Sequence, residues 1–534
     1  MARRGRRPPD GSGLARGACD AEPTTVPGLA SLARPLLAAV AVACVSWSGS
    51  AAAFGLEDVS RRAQELARSP YRKPSGSLPD AVKRLSYDDY RDIRFRPERA
   101  LWHGEHLAFE VMFFHEGFSF TDPVAFHEVT DQGVRDIPFD PADFDYGHNK
   151  IDQASLGGLG FAGFRVHFPL NRRDYRDEVL VFLGASYFRA LGRGQGYGVS
   201  ARGLAIDTAE SGGEEFPRFV EFWLQRPTRT AKELTVFALL DSPRVTGAYR
   251  FDLRPGPTTI VDVQAVLFAR AQVGKLGIAP LTSMFFFGAN DRASAEDYRP
   301  EVHDSDGLQV QTSAGEWLWR PLLSPKRLLV TSFAMDAGPR GFGLPQRERR
   351  FERYEDLEAR YDLRPSVWIE PLGAWGPGRV ELVELPVPDE TNDNIVVYWV
   401  PAHPPAPGTP AEYRWRTRWE RERPTRPPLS WVSQTRRGRG YVRSPDGSVE
   451  LHVDFVGPAL ARLPASAAVE GVVSADGNGQ IVEHHTARNE VAGGWRVVLR
   501  VRRRDDSKPV ELRAFLRDQT NVLSETWSYI LPPD

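Results

Sequence analysis

The stretches Phe164-Arg165-Val166-His167-Phe168 and Tyr249-Arg250-Phe251-Asp252-Leu253 alternate apolar and polar residues without a break. A period of two sends successive side chains to opposite faces of an extended chain, so each stretch reads as a half-buried antiparallel strand with one wet face. The pattern extends along most of the sequence. Gly and Pro, 47 and 43 of 534 residues, interrupt it often enough to supply the turns that many short strands require. Helical periodicity is confined to the region just after the leader. Leu56, Val59, Ala63 and Leu66 share one face of a short helix, and a second is expected after Pro79, through Asp80-Ala81-Val82-Lys83-Arg84-Leu85. No long amphipathic helix alternates with the strands, so a doubly wound α/β sheet is excluded and the expected class is mainly β.

Toward the C-terminus, Arg421-Glu422-Arg423-Pro424-Thr425-Arg426-Pro427-Pro428 is charged, proline-rich and unable to continue a sheet. Residues 421–430 are therefore expected to link a body spanning 54–420 to a smaller domain spanning 431–534. In the latter, Val449, Leu451, Val453 and Phe455 mark one apolar face, and Trp495, Val497, Leu499 and Val501 another. That length and strand density suit an immunoglobulin-like sandwich.

Residues 1–53 read as an export signal rather than as fold. Arg3, Arg4, Arg6 and Arg7 precede the apolar run Leu36 to Val45, and Ala51-Ala52-Ala53 supplies a small-residue cleavage pattern. The run is shorter than the roughly 20 residues a membrane span needs. Cleavage near Ala53 would remove both cysteines, Cys19 and Cys44, excluding disulfides, thiol chemistry and iron–sulfur clusters from the mature chain. The expected product has no membrane span and resides in the periplasm. The formal net charge of −2 becomes somewhat more negative after cleavage, which argues against a nucleic-acid partner.

Motifs exclude further classes. There is no P-loop, no H-E-x-x-H and no G-x-S-x-G elbow. The eleven histidines are scattered, and neither His103/His106 nor His484-His485 gathers carboxylates at ligand spacing, so no metal and no cofactor are expected. Gly192-Arg193-Gly194-Gln195-Gly196-Tyr197-Gly198 lacks the Lys-Ser/Thr of a phosphate loop and reads as a flexible loop able to line a groove. Carboxylates carry most of the remaining catalytic possibilities. Asp389-Glu390-Thr391-Asn392-Asp393-Asn394 runs into the apolar strand Ile395-Val396-Val397-Tyr398-Trp399, and His303-Asp304-Ser305-Asp306 sets two acids in a turn. Each reads equally as a solvated turn. Between residues 298 and 399 they join Trp317, Trp319, Arg353, Tyr354, Tyr361, Arg364 and Glu390, the residue types that bind sugar faces and hydroxyls.

Longer stretches carry a specific resemblance. LGFAGFRVHFPLN (159–171), LGASYFRALGRGQGYGVSARGLAIDTA (183–209), GEEFPRFVEFW (213–223), YRPEVHDSDGL (298–308), GEWLWRPL (315–322), RYDLRPSVW (360–368) and DETNDNIVVYW (389–399) are similar to the glucans biosynthesis proteins of bacterial periplasms, the OpgG/OpgD family. The leader, without a convincing twin-arginine pattern, favours the G branch over D. The resemblance implies a large N-terminal antiparallel sandwich of galactose-mutarotase-like form, a C-terminal immunoglobulin-like domain and a groove along the larger one. It implies work on osmoregulated periplasmic glucan, either as an inverting β-1,2-glucanase or transglycosylase on the linear backbone, or as a non-catalytic factor presenting that backbone to membrane-bound synthase components. By motif position the general acid falls on Asp393 and the base on Asp304. Inversion places such carboxyls about 6.5–9.5 Å apart, unless a longer chain of waters or hydroxyls joins them. It also requires Asp393 to be protonated, by desolvation or by an acid such as Asp389 or Glu390, with Asp304 in a more polar, ionising setting.

Overall fold

A computed structural model describes residues 54–73, 78–292, 296–422, 424–464 and 466–533. The first alternating stretch lies in the strand Phe161–Phe168, where Phe164 and Val166 are buried and Arg165 and His167 are half-buried. The second lies in Val245–Arg254, with Tyr249, Phe251 and Leu253 buried and Arg250 and Asp252 turned outward. These two strands belong to different sheets, and their apolar faces meet. Phe182 makes ring contacts with Phe164 at 5.1 Å and with Phe251 at 5.0 Å. Each ring so buried contributes about 1.5–3 kcal/mol relative to an exposed one.

Among the described residues, ten strands form the first sheet and fifteen the second. The first runs Glu110–His115, Phe161–Phe168, Asp177–Leu183, Tyr187–Ala190, Ser200–Arg202, Leu276–Ser283, Ile395–Pro401, Gly378–Glu384 and Leu329–Met335, and Leu204–Ile206 also pairs with Leu276–Ser283. The helix Leu56–Ala67 covers the outer face of the second sheet. Its Val59 and Ala63 are buried with Trp223, Phe237 and Phe268, as the spacing of its apolar residues requires. A second short helix spans Asp80–Lys83. No described helix is long and apolar enough to cross a membrane.

The strands after Ser430 build a separate core from Leu451, Val453, Phe455, Val497, Leu499 and Trp527. That core also takes Trp319 and Leu323 from the preceding part of the chain. The fifteen-stranded sheet crosses into this region through a parallel pairing of Leu318 with Thr526 and Trp319 with Trp527. The described residues, from Phe54 onward, cluster as one compact unit.

Candidate active site

Asp304 follows the two-residue strand Val302–His303, which pairs with Phe285–Phe287. Its backbone N–H donates to the Met284 carbonyl at 2.8 Å, fixing the turn that sends its side chain toward Arg364. The carboxyl is 4 % exposed and accepts a charge-assisted hydrogen bond from the Arg364 guanidinium. Burial pushes it up to about 6, against the pull of Arg364, and the charge of Asp393 pushes the same way. The polar setting expected for Asp304 is thus corrected. It is a deeply buried carboxyl hydrogen-bonded to Arg364, with the charge of Arg189 also lowering its proton affinity.

Asp393 ends the loop before the strand Ile395–Pro401. It keeps contact with solvent, yet protein atoms crowd the carboxyl, and that crowding raises it. The positive charges of Arg189, Arg202 and Arg364 oppose the shift. Asp304 and Asp393 therefore share the charges of Arg189 and Arg364, and Asp304 feels the charge of Asp393, although 88 residues of chain lie between them. The acids expected to keep Asp393 protonated do not face it. Asp389 accepts from the Thr391 N–H at 2.9 Å and its hydroxyl at 2.6 Å. Glu390 pairs with Arg299 at 2.5 Å, and Arg299 also holds Asp297 and Asp356.

Of the remaining residues singled out by sequence, Tyr361 and Arg364 adjoin Asp304, with the Arg364 guanidinium 4.3 Å above the Tyr361 ring. Gly198 makes room for this pair, since a Cβ there would meet Arg364 at 3.0 Å. Gly196 N–H donates to the Leu363 carbonyl, so the glycine-rich loop docks on the Tyr361–Leu363 turn. Tyr354 is fully buried against His303 and Tyr361 and cannot touch a ligand. Arg353 pairs with Glu301. Trp319 is 3 % exposed, in the second core, with Arg347 3.5 Å over its ring, and is corrected from sugar platform to core residue. Trp317 stacks half-buried on Trp368 at 5.6 Å.

Sequence reasoning missed Arg189 and Arg202. They lie on the paired strands Tyr187–Ala190 and Ser200–Arg202. Arg202 donates to Thr282 and Glu214 and lies 4.6 Å from the Tyr187 ring centre and 5.5 Å from that of Phe216, which is half-exposed. Arg189 donates from Nε to the Ser200 hydroxyl at 2.6 Å and, among the described residues, has no carboxylate in ion-pair range. The alternation Tyr187-Phe188-Arg189-Ala190, which could have been read as a strand with Arg189 on its wet face, says nothing of what that face looks onto.

Behind Asp304, the fold also gathers Glu301, His303 and Asp306, with ligand-type atoms within 4.8 Å of one another. His303 Nε2 faces Glu301 at 3.0 Å, and Nδ1 faces the Gln346 Oε1 at 2.9 Å. The Gln346 Nε2 donates to the carbonyls of His303 and Tyr361, so its oxygen must be what the ring sees. Both ring nitrogens thus meet acceptors, an arrangement that favours the imidazolium form of His303. Burial lowers its affinity for the proton, but Asp306 and Glu301 raise it more.

Comparison with known proteins fits this architecture. The family model described as periplasmic glucan biosynthesis protein, MdoG, matches residues 54–531. The glucans biosynthesis protein G of Ralstonia nicotianae is 56 % identical over 501 residues, covering 93 % of this chain and 99 % of that one. Proteins of the same name from Pseudomonas paraeruginosa and Pseudomonas aeruginosa are 50 % identical over 510 residues, covering 94 % of this chain and 97 % of theirs. The chain belongs to the MdoG family of periplasmic glucan biosynthesis proteins.

Proposed function

We propose that this chain serves periplasmic glucan biosynthesis by processing the linear β-1,2-glucan backbone, through anomer-inverting hydrolysis or transfer to a sugar hydroxyl. The observation that carries the reading is the pair Asp304 and Asp393, the first raised by burial, the second by the protein atoms crowding its solvent-exposed carboxyl, and both under the charge of Arg189 and Arg364. Asp393 is the proton donor to the departing glycosidic oxygen: desolvation favours its protonated form, and its contact with solvent leaves a path to substrate. Asp304 is the base that activates water or a hydroxyl on the opposite face; Arg364 sustains its ionised form near neutral pH. Arg364 and the half-exposed Phe216 would line the path of the chain, with the buried Tyr361 ring supporting Arg364 from below. Export to the periplasm with cleavage near Ala53 accords with a family match that begins at residue 54.

Incubating purified protein with linear β-1,2-glucan and resolving the products separates hydrolysis, transfer and binding alone. Asp393→Asn should abolish product while leaving folding and glucan binding intact. Unchanged product removes Asp393 from the mechanism. Glucan bound without any product from the unsubstituted chain favours instead a non-catalytic factor that presents the backbone to membrane-bound synthesis components.

A further inference from the structure

We infer that Asn394 is a positioning residue that sets the spacing between Asp304 and Asp393 through the segment Ser283-Met284-Phe285; the inference rests on the roles of the two aspartates proposed above. Asn394 is 0 % exposed and follows Asp393 directly. Its Oδ1 accepts from the Phe285 N–H at 2.8 Å, and its Nδ2 donates to the Phe285 carbonyl at 2.9 Å and the Leu385 carbonyl at 3.2 Å. Its backbone N–H donates to the Ser283 carbonyl at 3.1 Å, and its carbonyl accepts from the Leu385 N–H at 2.8 Å. Every hydrogen-bonding group of this residue except the remaining lone pairs is therefore spent on backbone.

The base is held from the other side of the same segment. The Asp304 N–H donates to the Met284 carbonyl at 2.8 Å, the Ser305 and Ser283 hydroxyls meet at 2.8 Å, and Phe285 pairs with His303. Three consecutive peptide units thus separate the backbone of one carboxyl from that of the other.

The reason an asparagine stands here follows from the sheet. The ladder between Leu276–Ser283 and Ile395–Pro401 reaches its last pair at Ser283 and Ile395. Beyond it the Asn394 amide, one acceptor and two donors, supplies the rungs to Phe285 that a backbone would otherwise make. The preceding residue is then released from the ladder, and the Asp393 carboxyl can turn toward the three arginines. Aspartate at this position would set a second acceptor against two carbonyls, and an aliphatic side chain would leave three backbone groups unpaired.

The test uses the full chain with Asn394→Ala and Ser305→Ala, measuring kcat on linear β-1,2-glucan per folded molecule, glucan Kd by calorimetry, and Tm. A displacement of about 1 Å between reacting groups lowers rate by about 10²-fold. Asn394→Ala is expected to lose kcat on that order with glucan Kd unchanged. Ser305→Ala loosens the opposite side and should lose less, in the same kcat-only manner. A merely structural residue would lower Tm and the folded fraction without this split. Wild-type kcat per folded Asn394→Ala molecule, or equal loss of kcat and binding, overturns the inference. If Asn394→Ala does not fold, an unchanged kcat in Ser305→Ala overturns it. Absence of product from the unsubstituted chain removes the roles of the aspartates and this inference together. Product that is lost in Asp304→Asn and Asp393→Asn but kept in Asn394→Ala removes the inference alone.

Discussion

Replacing Asp304 by Asn should make the protein more stable near neutral pH while removing its activity, and the size of the gain follows from the burial of that carboxyl. Its affinity for the proton is raised from an ordinary 3.8 to about 6 in the folded chain, with burial the largest cause. Two units of difference between folded and unfolded states correspond to roughly 3 kcal/mol, at about 1.4 kcal/mol per unit. The sign is set by proton counts. Between about pH 4 and 6 the folded state binds more protons at this site than the unfolded state, so Asp304 lowers stability progressively as pH rises through that window. At about pH 4 the carboxyl is protonated in the folded state and an amide resembles it, so the two proteins should melt together. By about pH 7 the amide of the Asp304→Asn variant escapes the ionisation, and that variant should gain on the order of 3 kcal/mol over wild type. Thermal melting of both proteins from about pH 4 to about pH 7.5 measures the difference, and a glucan-processing assay on the same samples measures the loss. A variant that becomes less stable than wild type as pH rises would mean that Arg364 pulls the carboxyl below its ordinary value, refuting the assigned direction. Retained processing would refute its use as a base. A gain in stability on loss of function is what the proposed use of this buried carboxyl as a base leads one to expect.

Arg189→Met removes a cation that lowers both carboxyls, so the acidic limb of the pH–rate profile should move to higher pH, while stability changes by no more than about 0.5 kcal/mol at this exposed position. An unmoved limb would show that Arg189 does not govern the pair. Trp319→Ala should cost about 3–5 kcal/mol in denaturant unfolding, because the ring is buried in the second core under Arg347, and leave glucan affinity of the folded protein untouched. Lost affinity with stability intact would return Trp319 to the groove.

Much of the architecture was legible along the chain. Period-two alternation in Phe164–Phe168 and Tyr249–Leu253 marked strands and their buried faces, because each side chain's direction is set by its own backbone and its nearest neighbours. The spacing of Leu56, Val59 and Ala63 marked the covering helix for the same reason. The acidic loops at Asp304 and Asp393 stood out by composition and by family resemblance. Their neighbourhood did not. Alternation says that Trp317 and Trp319 share a face; it does not say that a parallel pairing with Thr526 and Trp527, some two hundred residues on, brings a second core against Trp319. Tyr354 likewise reads as a sugar platform until His303 and Tyr361 close over it.

The same limit hid Arg189, which acts on both aspartates, and Arg202, which acts on Asp393, from strands roughly a hundred residues or more away along the chain. Fold class, strands and acids could be read residue by residue, since propensity and periodicity act over a few positions. Which acids share the same arginines and which aromatics are out of reach emerged from the packed chain alone. Burial and Coulomb energy depend on distances in space, and a sheet of fifteen strands brings residues together across hundreds of positions.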